Sequence, residues 1–222
     1  MPLLVQAVAA GPLETNAYLV AEGDEAVLVD APPGVTDELL AAVAAAGVRV
    51  VRIVITHAHW DHVVDAAALR AATGAPLAAH PLARERLAQP GSAGGDLPFD
   101  IAPVEPDEWL EDGDTVQVGR TPLRVLHLPG HDPAHVALYG EADRVLIGGY
   151  VFFPGGHGNT ELPLADQASM DRSIARLAAL PPDVTVFPGH GRPTTIGAEA
   201  AWVEPIVRRV EARGARREAR GR

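Results

Sequence analysis

THAHWDH, residues 56–62, places three histidines and one aspartate within six positions: His57, His59, Asp61 and His62. The apolar run before it, residues 50–55, is rich in β-branched residues and predicts a buried strand. The cluster would therefore lie on the loop that leaves the carboxyl end of this strand, where the strand holds the loop in place. Imidazole and carboxylate groups together suit a zinc, iron or manganese ion. The stretch predicts a metal site rather than a solvated loop.

Length and composition bound the class of protein. With 222 residues, of which 47% are apolar and 21% charged, the chain suits one globular domain with a full core. No apolar run approaches the roughly 18 residues that a membrane-spanning helix needs, and the N-terminus lacks the basic segment of a signal peptide. We therefore expect a cytoplasmic protein without a membrane partner. Cysteine is absent, so a metal site must use His, Asp, Glu or Tyr.

Charge is unevenly distributed along the chain. The whole chain carries −11, yet residues 208–222 contain seven arginines and two glutamates and so carry +5. The rest of the chain carries −16, which argues against nucleic acid as a partner. We predict a single domain over residues 1–212 and a basic, disordered tail over residues 213–222. All 18 basic residues are arginine, which indicates a GC-rich, bacterial coding sequence.

The order of predicted strands and helices indicates the architecture. Apolar runs and turn residues predict ten strands, at residues 3–8, 16–21, 26–30, 50–55, 76–79, 115–118, 123–127, 136–139, 145–148 and 184–187. Helical spacing predicts five helices, at residues 37–46, 63–72, 82–88, 167–180 and 198–211. This order predicts an α+β fold, a four-layer αββα sandwich of two mixed β-sheets with helices on the outer faces. Residues 89–106, rich in Gly, Pro and Asp, are interpreted as a surface loop over the site.

Two further histidines follow Pro-Gly turns at strand ends. His131 comes directly after Pro129-Gly130, and His190 comes directly after Pro188-Gly189. In each case the turn redirects the chain and presents an imidazole just beyond a predicted strand. A single histidine so placed is more often structural than ligating. Three such loops in one chain favour a shared metal site.

These motifs resemble those of the metallo-β-lactamase superfamily. The resemblance lies in HxHxDH at residues 57–62 and in PGH at residues 129–131 and 188–190. Residues 16–19 (NAYL), 112–114 (DGD) and 194–197 (TTIG) also match the family. More narrowly, the chain resembles the glyoxalase II-like, or hydroxyacylglutathione hydrolase-like, branch, whose better-known members hydrolyse thioesters. The resemblance spans residues 3–205 and implies the metallo-β-lactamase fold.

The resemblance also implies a centre with two metal positions. The first ion would be held by His57, His59 and His131, and the second by Asp61, His62 and His190. The ions would be divalent, zinc first and iron or manganese as alternatives, and would activate a water for attack on a carbonyl. Asp61 would also act in catalysis by taking the proton that is passed to the leaving group.

One position departs from the family pattern. The family usually places an aspartate between the two PGH loops, where its carboxylate bridges both ions. Tyr150 takes this place here, or Gly149 if the alignment is shifted by one residue, and neither supplies a carboxylate. Tyr150 as a phenolate would ligate one ion, and as a phenol it would donate a hydrogen bond to a substrate oxygen. One ion and two ions therefore both stay open. His157, on the loop that follows, is a candidate additional ligand.

The resemblance implies a metal-dependent hydrolase that uses an activated water on a thioester or a related acyl ester. Tyr150 keeps an alternative open, a catalytically lapsed or repurposed protein of the same fold that binds a metal or another ligand. A lactonase and an iron-dependent oxygenase are further alternatives. The partner would be a small-molecule acyl substrate, and a homodimer is a compatible assembly. Only 32 residues follow His190, too few for the helical region that recognises glutathione in the family, so glutathione is disfavoured.

Overall fold

Two six-stranded sheets form the centre of the protein. The computed structural model describes residues 3–92 and 99–220. The strands of the first sheet, in spatial order, are β1 (Leu4–Ala10), β2 (Thr15–Glu22), β3 (Glu25–Val29), β4 (Arg49–Ile55), β5 (Leu77–Ala79) and β6 (Glu108–Trp109). The strands of the second sheet, also in spatial order, are β7 (Thr115–Val118), β8 (Thr121–His127), β9 (Val136–Gly140), β10 (Val145–Ile147), β11 (Thr185–Phe187) and β12 (Thr194–Thr195).

Both sheets are mixed, and their parallel pairs set the position of the histidine loops. In the first sheet β1, β2 and β3 pair antiparallel, while β3, β4, β5 and β6 pair parallel. In the second sheet only β10 and β11 pair parallel, and the other pairs of described strands are antiparallel. Parallel neighbours end at the same edge of a sheet. The loops after β3 and β4 therefore meet, as do the loops after β10 and β11.

Helices cover the outer face of each sheet. Their ranges are α1 (Thr36–Ala46), α2 (Trp60–Val63), α3 (Ala66–Thr73), α4 (Arg84–Ala88), α5 (Gln167–Ala178) and α6 (Ala200–Arg220). One apolar cluster joins the first sheet to α1, α3 and α4, and a second joins the second sheet to α5 and α6. A third cluster lies between the two sheets. The predicted four-layer αββα fold is confirmed.

Strand β2 shows why the central strands are apolar throughout. Leu19 packs in the cluster beneath the helices, whereas Tyr18 and Val20 pack in the cluster between the sheets. All eight residues of β2 are buried, because alternate side chains face two different apolar layers. Full burial of a Val or Leu side chain contributes about 1.5–3 kcal/mol. Such strands hold the loops at their ends in fixed positions.

The described elements differ from the predicted ones in a few places. The helix predicted over residues 63–72 is divided into α2 and α3, with Asp65 between them. The Asp65 carboxylate accepts hydrogen bonds from the backbone N–H groups of Gly34 and Thr36, at 3.1 Å each, so it joins the break to the start of α1. Strands β6 and β12 were not predicted, because two residues are too short to show a period.

The C-terminal segment also differs from its prediction. We predicted a disordered tail over residues 213–222, whereas α6 continues through Arg220. Ala, Arg and Glu, which dominate this segment, are strong helix formers. Arg209 and Arg213 in addition reach Asp171 of α5, at 2.8 and 3.6 Å, which ties the helix to its neighbour. Residues 221–222 lie outside the described part of the chain, and among the described helices none is long and apolar enough to cross a membrane.

Candidate metal centre

Loops from both sheets meet at one end of the sandwich. Strand β4 ends at Ile55, and the chain then presents His57 and His59 before α2 carries Asp61 and His62. His131 lies in the connection from β8 to β9. In the second sheet, β10 and β11 are followed by the loops that carry Tyr150 and His190, respectively. The structure therefore brings together side chains that are up to 133 positions apart in the sequence.

The first ligand group consists of His57, His59 and His131. One ring nitrogen from each of the three lies within 4.8 Å of the others. Nδ1 of His59 and Nε2 of His131 are 2.8 Å apart. The rings of His57 and His131 meet edge to face, with centroids 5.2 Å apart. Three imidazoles so close together match the donor set of a catalytic zinc site.

The second ligand group consists of Asp61, His62 and His190. Their candidate ligand atoms also lie within 4.8 Å of one another. Oδ2 of Asp61 is 3.4 Å from Nε2 of His62 and 3.2 Å from Nε2 of His190. Thr15 donates a hydrogen bond of 3.0 Å to the same oxygen, which orients the carboxylate. The two groups adjoin, since the rings of His57 and His62 are 4.2 Å apart.

Asp30 orients the centre from behind, and sequence reasoning missed this role. It follows β3, the parallel neighbour of β4, so its carboxylate meets the start of the histidine stretch. Its Oδ1 accepts from the backbone N–H of Thr56 at 2.7 Å, and its Oδ2 lies 2.7 Å from Nδ1 of His62. Asp30 is buried and has a positive φ of 62°. The signal was an acidic residue at the carboxyl end of a predicted strand.

Other ligand imidazoles are held through the nitrogen that faces away from the centre. Nδ1 of His131 lies 2.7 Å from the Asn159 carbonyl oxygen, and Nδ1 of His190 lies 2.8 Å from the Leu13 carbonyl oxygen. Nδ1 of His57 lies 3.0 Å from Oγ1 of Thr56. A hydrogen bond on one ring nitrogen sets the tautomer and directs the other nitrogen inward, as in protein metal sites.

Buried nitrogens at the centre test whether these residues fit a metal. Nε2 of His57, His62 and His190 are buried and have no hydrogen-bond partner among the described residues. Leaving a buried polar group unsatisfied costs about 1–3 kcal/mol, so such groups are rare without a functional reason. Three of them at one point, beside the Asp61 carboxylate, are donors that a divalent cation would satisfy together. The donor set fits a metal.

The three imidazoles of the first group are uncharged, which favours binding of a metal cation. Burial, and then the neighbouring imidazoles, lower the pKa of His57 well below its usual value. Burial, with His59 next to it, lowers the pKa of His131 to about 4. Burial also lowers the pKa of His59. All three rings are therefore neutral at pH 7, with lone pairs free to bind a metal.

In the second group, nearby carboxylates determine the charge state of the histidine side chain. Burial opposes a charge on His62, but Asp30 and Asp61 raise the pKa of His62 above its usual value. Burial likewise disfavours ionisation of Asp61. The His190 imidazole, whose Nε2 lies 3.2 Å from the carboxylate, and the charge of His62 nevertheless hold the pKa of Asp61 below its usual value. Asp61 is therefore an anion at neutral pH, and it gives this group a charge that the first group lacks.

An ion pair beneath His59 was also missed by sequence reasoning. Arg86 of α4 donates to both carboxylate oxygens of Asp132, one contact measuring 2.8 Å, and both residues are buried. Asp132 in turn lies 3.7 Å from Nε2 of His59. Asp132 directly follows the Pro-Gly-His motif of residues 129–131. Arg86 lies 46 positions away from it, and nothing in the sequence indicated that the two would pair.

Tyr150 packs against the ligand groups. Its ring stacks on His131, with centroids 4.0 Å apart and an interplanar angle of 9°, and lies 4.9 Å from the ring of His190. Burial, and then the Asp61 carboxylate, raise the pKa of Tyr150 above its usual value. Tyr150 is therefore a neutral phenol, able to donate a hydrogen bond.

His135 and Gly149 hold the backbone of Tyr150 in place. Nε2 of His135 accepts a hydrogen bond of 2.9 Å from the Tyr150 backbone N–H. Gly149 lies against the same ring, because a Cβ at this position would come within 1.5 Å of Nε2 of His135, and its φ is +81°. The glycine is therefore required both by space and by its backbone conformation.

His157 does not join either ligand group. Its Nδ1 lies 2.8 Å from the Gly158 carbonyl oxygen, and its ring lies 6.1 Å from that of Trp202. Neither of the two groups found among the described residues includes it. The structure thus gives no support to the hypothesis that His157 is an additional ligand.

His80 is buried away from the metal centre, and its low pKa makes the stability of the fold depend on pH. It stacks on His127 with centroids 4.0 Å apart, and burial together with His127 lowers the pKa of His80 to about 4. An unfolded histidine titrates near pH 6.5, so below this pH the unfolded chain binds a proton that the folded chain does not. Stability from this group is therefore complete above pH 6.5 and is lost as the pH falls toward about 4.

We expect His80→Asn to remove this loss, because Asn does not titrate and its side-chain oxygen can accept from the Leu82 N–H as Nδ1 does, at 3.2 Å. Urea unfolding of metal-free protein from pH 7 to pH 4 should show wild type losing stability more steeply, by about one proton per chain. Parallel curves for the two proteins would contradict a neutral His80.

A pocket opens over both groups. It has a volume of about 430 Å³, within the range of small-molecule sites. His59, Asp61, His131 and Tyr150 form part of its wall. Pro90, Gly91 and Ile101, from the predicted loop over residues 89–106, also line it, while residues 93–98 of that loop lie outside the described part of the chain.

The chain is similar to known proteins over most of its length. Residues 10–190 match the family model of the Metallo-beta-lactamase superfamily. A hydroxyacylglutathione hydrolase of Haemophilus influenzae, GloC, is 29% identical over 192 residues, which cover 84% of this chain and 90% of the relative.

Two solved structures are similar to this one. The BLEG-1 B3 metallo-beta-lactamase is 31% identical with a TM-score of 0.81, over 89% of this chain and 97% of the other. TTHA1623, solved in a di-iron-bound form, is 37% identical with a TM-score of 0.74, over 88% of this chain and 96% of the other.

Proposed function

Because the chain belongs to the metallo-beta-lactamase superfamily, we propose that it is a metal-dependent hydrolase acting on an acyl thioester or a related ester. The observation that carries the proposal is the pair of three-residue ligand groups beside one pocket. The similarity to a hydroxyacylglutathione hydrolase, whose substrate is a thioester, supports the bond type. The match covers 90% of that relative's length.

The two ligand groups would hold one divalent ion each. Such ions supply Lewis acidity and lower the pKa of a bound water, which allows ester hydrolysis at neutral pH. Zinc fits the donors, and the di-iron form of TTHA1623 makes iron an equal candidate. The chain itself contributes fixed donors, because Asp30 and the backbone carbonyl groups of Leu13 and Asn159 hold the imidazoles in orientation.

Asp61 would transfer protons in addition to serving as a ligand. Its carboxylate is ionised, lies in the pocket wall and is held by Thr15. It can therefore accept a proton released during attack on the carbonyl and return it to the leaving thiolate or alkoxide.

Tyr150 would act on the substrate oxygen. Its phenol is neutral and lies in the pocket wall beside His131. A neutral O–H next to a carbonyl oxygen stabilises the negative charge that develops there during attack. The aromatic ring that replaces the usual carboxylate thus retains a chemical role.

We expect Tyr150→Phe to lower kcat by about 10- to 100-fold, because the ring and its packing on His131 stay while the donor is lost. Metal content should be unchanged. The measurement is steady-state hydrolysis beside metal analysis of the same sample. An unaltered kcat would show that the phenol does not contact the reacting oxygen.

Hydrolysis by the metal-loaded chain tests the proposed function. N-acetylcysteamine acyl thioesters release a thiol that can be followed continuously. We expect turnover that requires zinc, iron or manganese and disappears on chelation and in His59→Ala. His157→Ala is the matched control, since this histidine lies outside both ligand groups, and it should retain wild-type turnover. Absence of turnover on every acyl thioester and ester tested would contradict the proposal.

A second candidate function is a binding protein of the same fold without catalysis, and Tyr150 is the observation that favours it. Tyr150→Asp discriminates between the two, because it returns a carboxylate to the point where the groups adjoin. A loss of activity in this variant supports the role of Tyr150 proposed above. An inactive wild type with a large gain in hydrolysis in the variant would support the binding protein.

A further inference from the structure

The wall of the pocket beyond the ligand groups is apolar. Trp60 and Val63 of α2 line it, and Ile101 lines it from the loop that precedes β6. Leu13 and Leu162 also line it, and they stay 50% and 39% exposed although both are large apolar side chains. These five residues come from four separate segments of the chain. An apolar surface assembled from so many segments beside a reactive centre indicates a site for an apolar ligand.

Cationic groups are scarce in the same wall. Of the described residues that line the pocket, Arg86 alone has a cationic side chain. Its guanidinium is already paired with both oxygens of the buried Asp132. The loop over the pocket supplies none, because the sequence contains no Arg or Lys between Arg86 and Arg120. An anionic substrate group would therefore enter the pocket without a protein cation to pair with, which is costly.

The net negative charge of the protein also disfavours anionic substrates. The chain carries −11 overall, and its basic segment lies at the C-terminal end of α6. The Asp61 carboxyl group lies in the pocket wall. A substrate with two free carboxylates, such as a glutathione thioester, or with phosphates, such as a coenzyme A thioester, meets repulsion on approach.

We propose that the pocket selects acyl compounds with an apolar chain of about four to eight carbons and an uncharged leaving group. The inference rests on the proposed function, since it names which thioesters or esters the centre cleaves. The proposed specificity differs from that of the Haemophilus relative, whose name states a glutathione substrate. The apolar acyl chain lies against Leu13, Trp60 and Leu162, and the acyl carbon lies beside the ligand groups.

Three thioesters that share one scissile bond test the selectivity. We would compare kcat/KM for acetyl- and hexanoyl-N-acetylcysteamine, which are uncharged, and for S-lactoylglutathione, which carries the anionic peptide. Each buried methylene improves binding about 4-fold at most, so hexanoyl should exceed acetyl by about 10-fold or more. S-lactoylglutathione should be the poorest of the three. Equal rates for the two acyl chains, or a preference for S-lactoylglutathione, would overturn the inference.

Binding of uncleavable analogues separates this inference from the hydrolase proposal. S-hexyl-N-acetylcysteamine and S-hexylglutathione carry the same apolar arm and differ in the charged peptide. Calorimetry should show tighter binding of the uncharged thioether. Tight binding of that thioether without turnover of any thioester would overturn the hydrolase proposal and leave the apolar selectivity standing. Tighter binding of S-hexylglutathione, or binding of neither compound, would overturn the selectivity.

Substitutions in the pocket wall provide a matched pair. Leu162→Ser should reduce the preference for hexanoyl over acetyl by about 10-fold, because a hydroxyl replaces the apolar contact. Leu164→Ser is the control, since Leu164 is 59% exposed and is not part of the pocket wall. The control should keep the wild-type preference. An equal loss of preference in both variants would contradict the placement of the acyl chain against Leu162.

Discussion

Replacing Asp61 by Asn is expected to lower kcat/KM by about 1,000-fold, within the range for loss of a positioned acid–base group. The amide has the same shape and can still accept from Thr15. It carries no charge toward Nε2 of His62 and His190, which lie 3.4 and 3.2 Å from the carboxylate. It also cannot accept the proton that hydrolysis releases. Steady-state kinetics and metal analysis on one preparation measure both consequences.

Asp183→Asn is the matched control for this substitution. Asp183 lies on the surface, with 69% of its side chain exposed and a long 4.0 Å contact to Arg144. It should keep wild-type kinetics and metal content. An unchanged kcat/KM in Asp61→Asn would contradict both roles given to Asp61. A fall in kcat with full metal content would assign it to proton transfer alone.

Replacing Arg86 by Met is expected to cost about 3–5 kcal/mol of stability, as when one partner of a buried ion pair is removed. Asp132 would remain buried, 1% exposed, without its cation. For a chain of this size the loss corresponds to a fall in Tm of about 10 °C. The Asp132 carboxylate lies 3.7 Å from Nε2 of His59 in the wild-type structure. Because the substitution removes the partner that holds this carboxylate, the metal affinity of the first group should fall as well. Thermal unfolding and metal titration measure the two effects.

Arg84→Met is the control, because Arg84 belongs to the same helix but is exposed. Its side chain is 58% exposed, 3.9 Å from Glu105, and its guanidinium lies over the Trp109 ring. Such contacts contribute about 1 kcal/mol or less. Adding Asp132→Asn to Arg86→Met should recover part of the stability, because the unpaired charge is then removed. Equal losses for Arg84→Met and Arg86→Met would contradict the role given to the buried pair.

Much of the fold could be predicted from sequence because its signals are local. Apolar runs such as residues 50–55 are visible without knowledge of any partner strand. The candidate ligand residues could be named because each follows a strand and because the motifs resemble a known family. The order of elements then indicated two sheets, and the structure confirms them.

The parts that could not be predicted depend on contacts between distant segments. Asp30 orients His62 only because β3 and β4 are parallel neighbours, and sequence spacing does not show which strands pair. The Arg86–Asp132 pair joins α4 to the loop after β8, and the motif in that loop does not show which distant residue contacts it. The helical state of residues 213–220 was missed because charge was weighed above helix propensity. Composition and spacing describe one segment at a time, whereas the contacts between two distant segments are known only once the fold is known.

The metal content of the purified, reloaded chain tests the central claim most directly. Inductively coupled plasma mass spectrometry should find about two ions per wild-type chain and about one in both His59→Ala and His190→Ala, since each variant removes a donor from one group. His157→Ala should match wild type. A wild-type chain that retains no metal, or a metal content that neither ligand variant changes, would contradict the assignment of these six residues to a two-position metal centre.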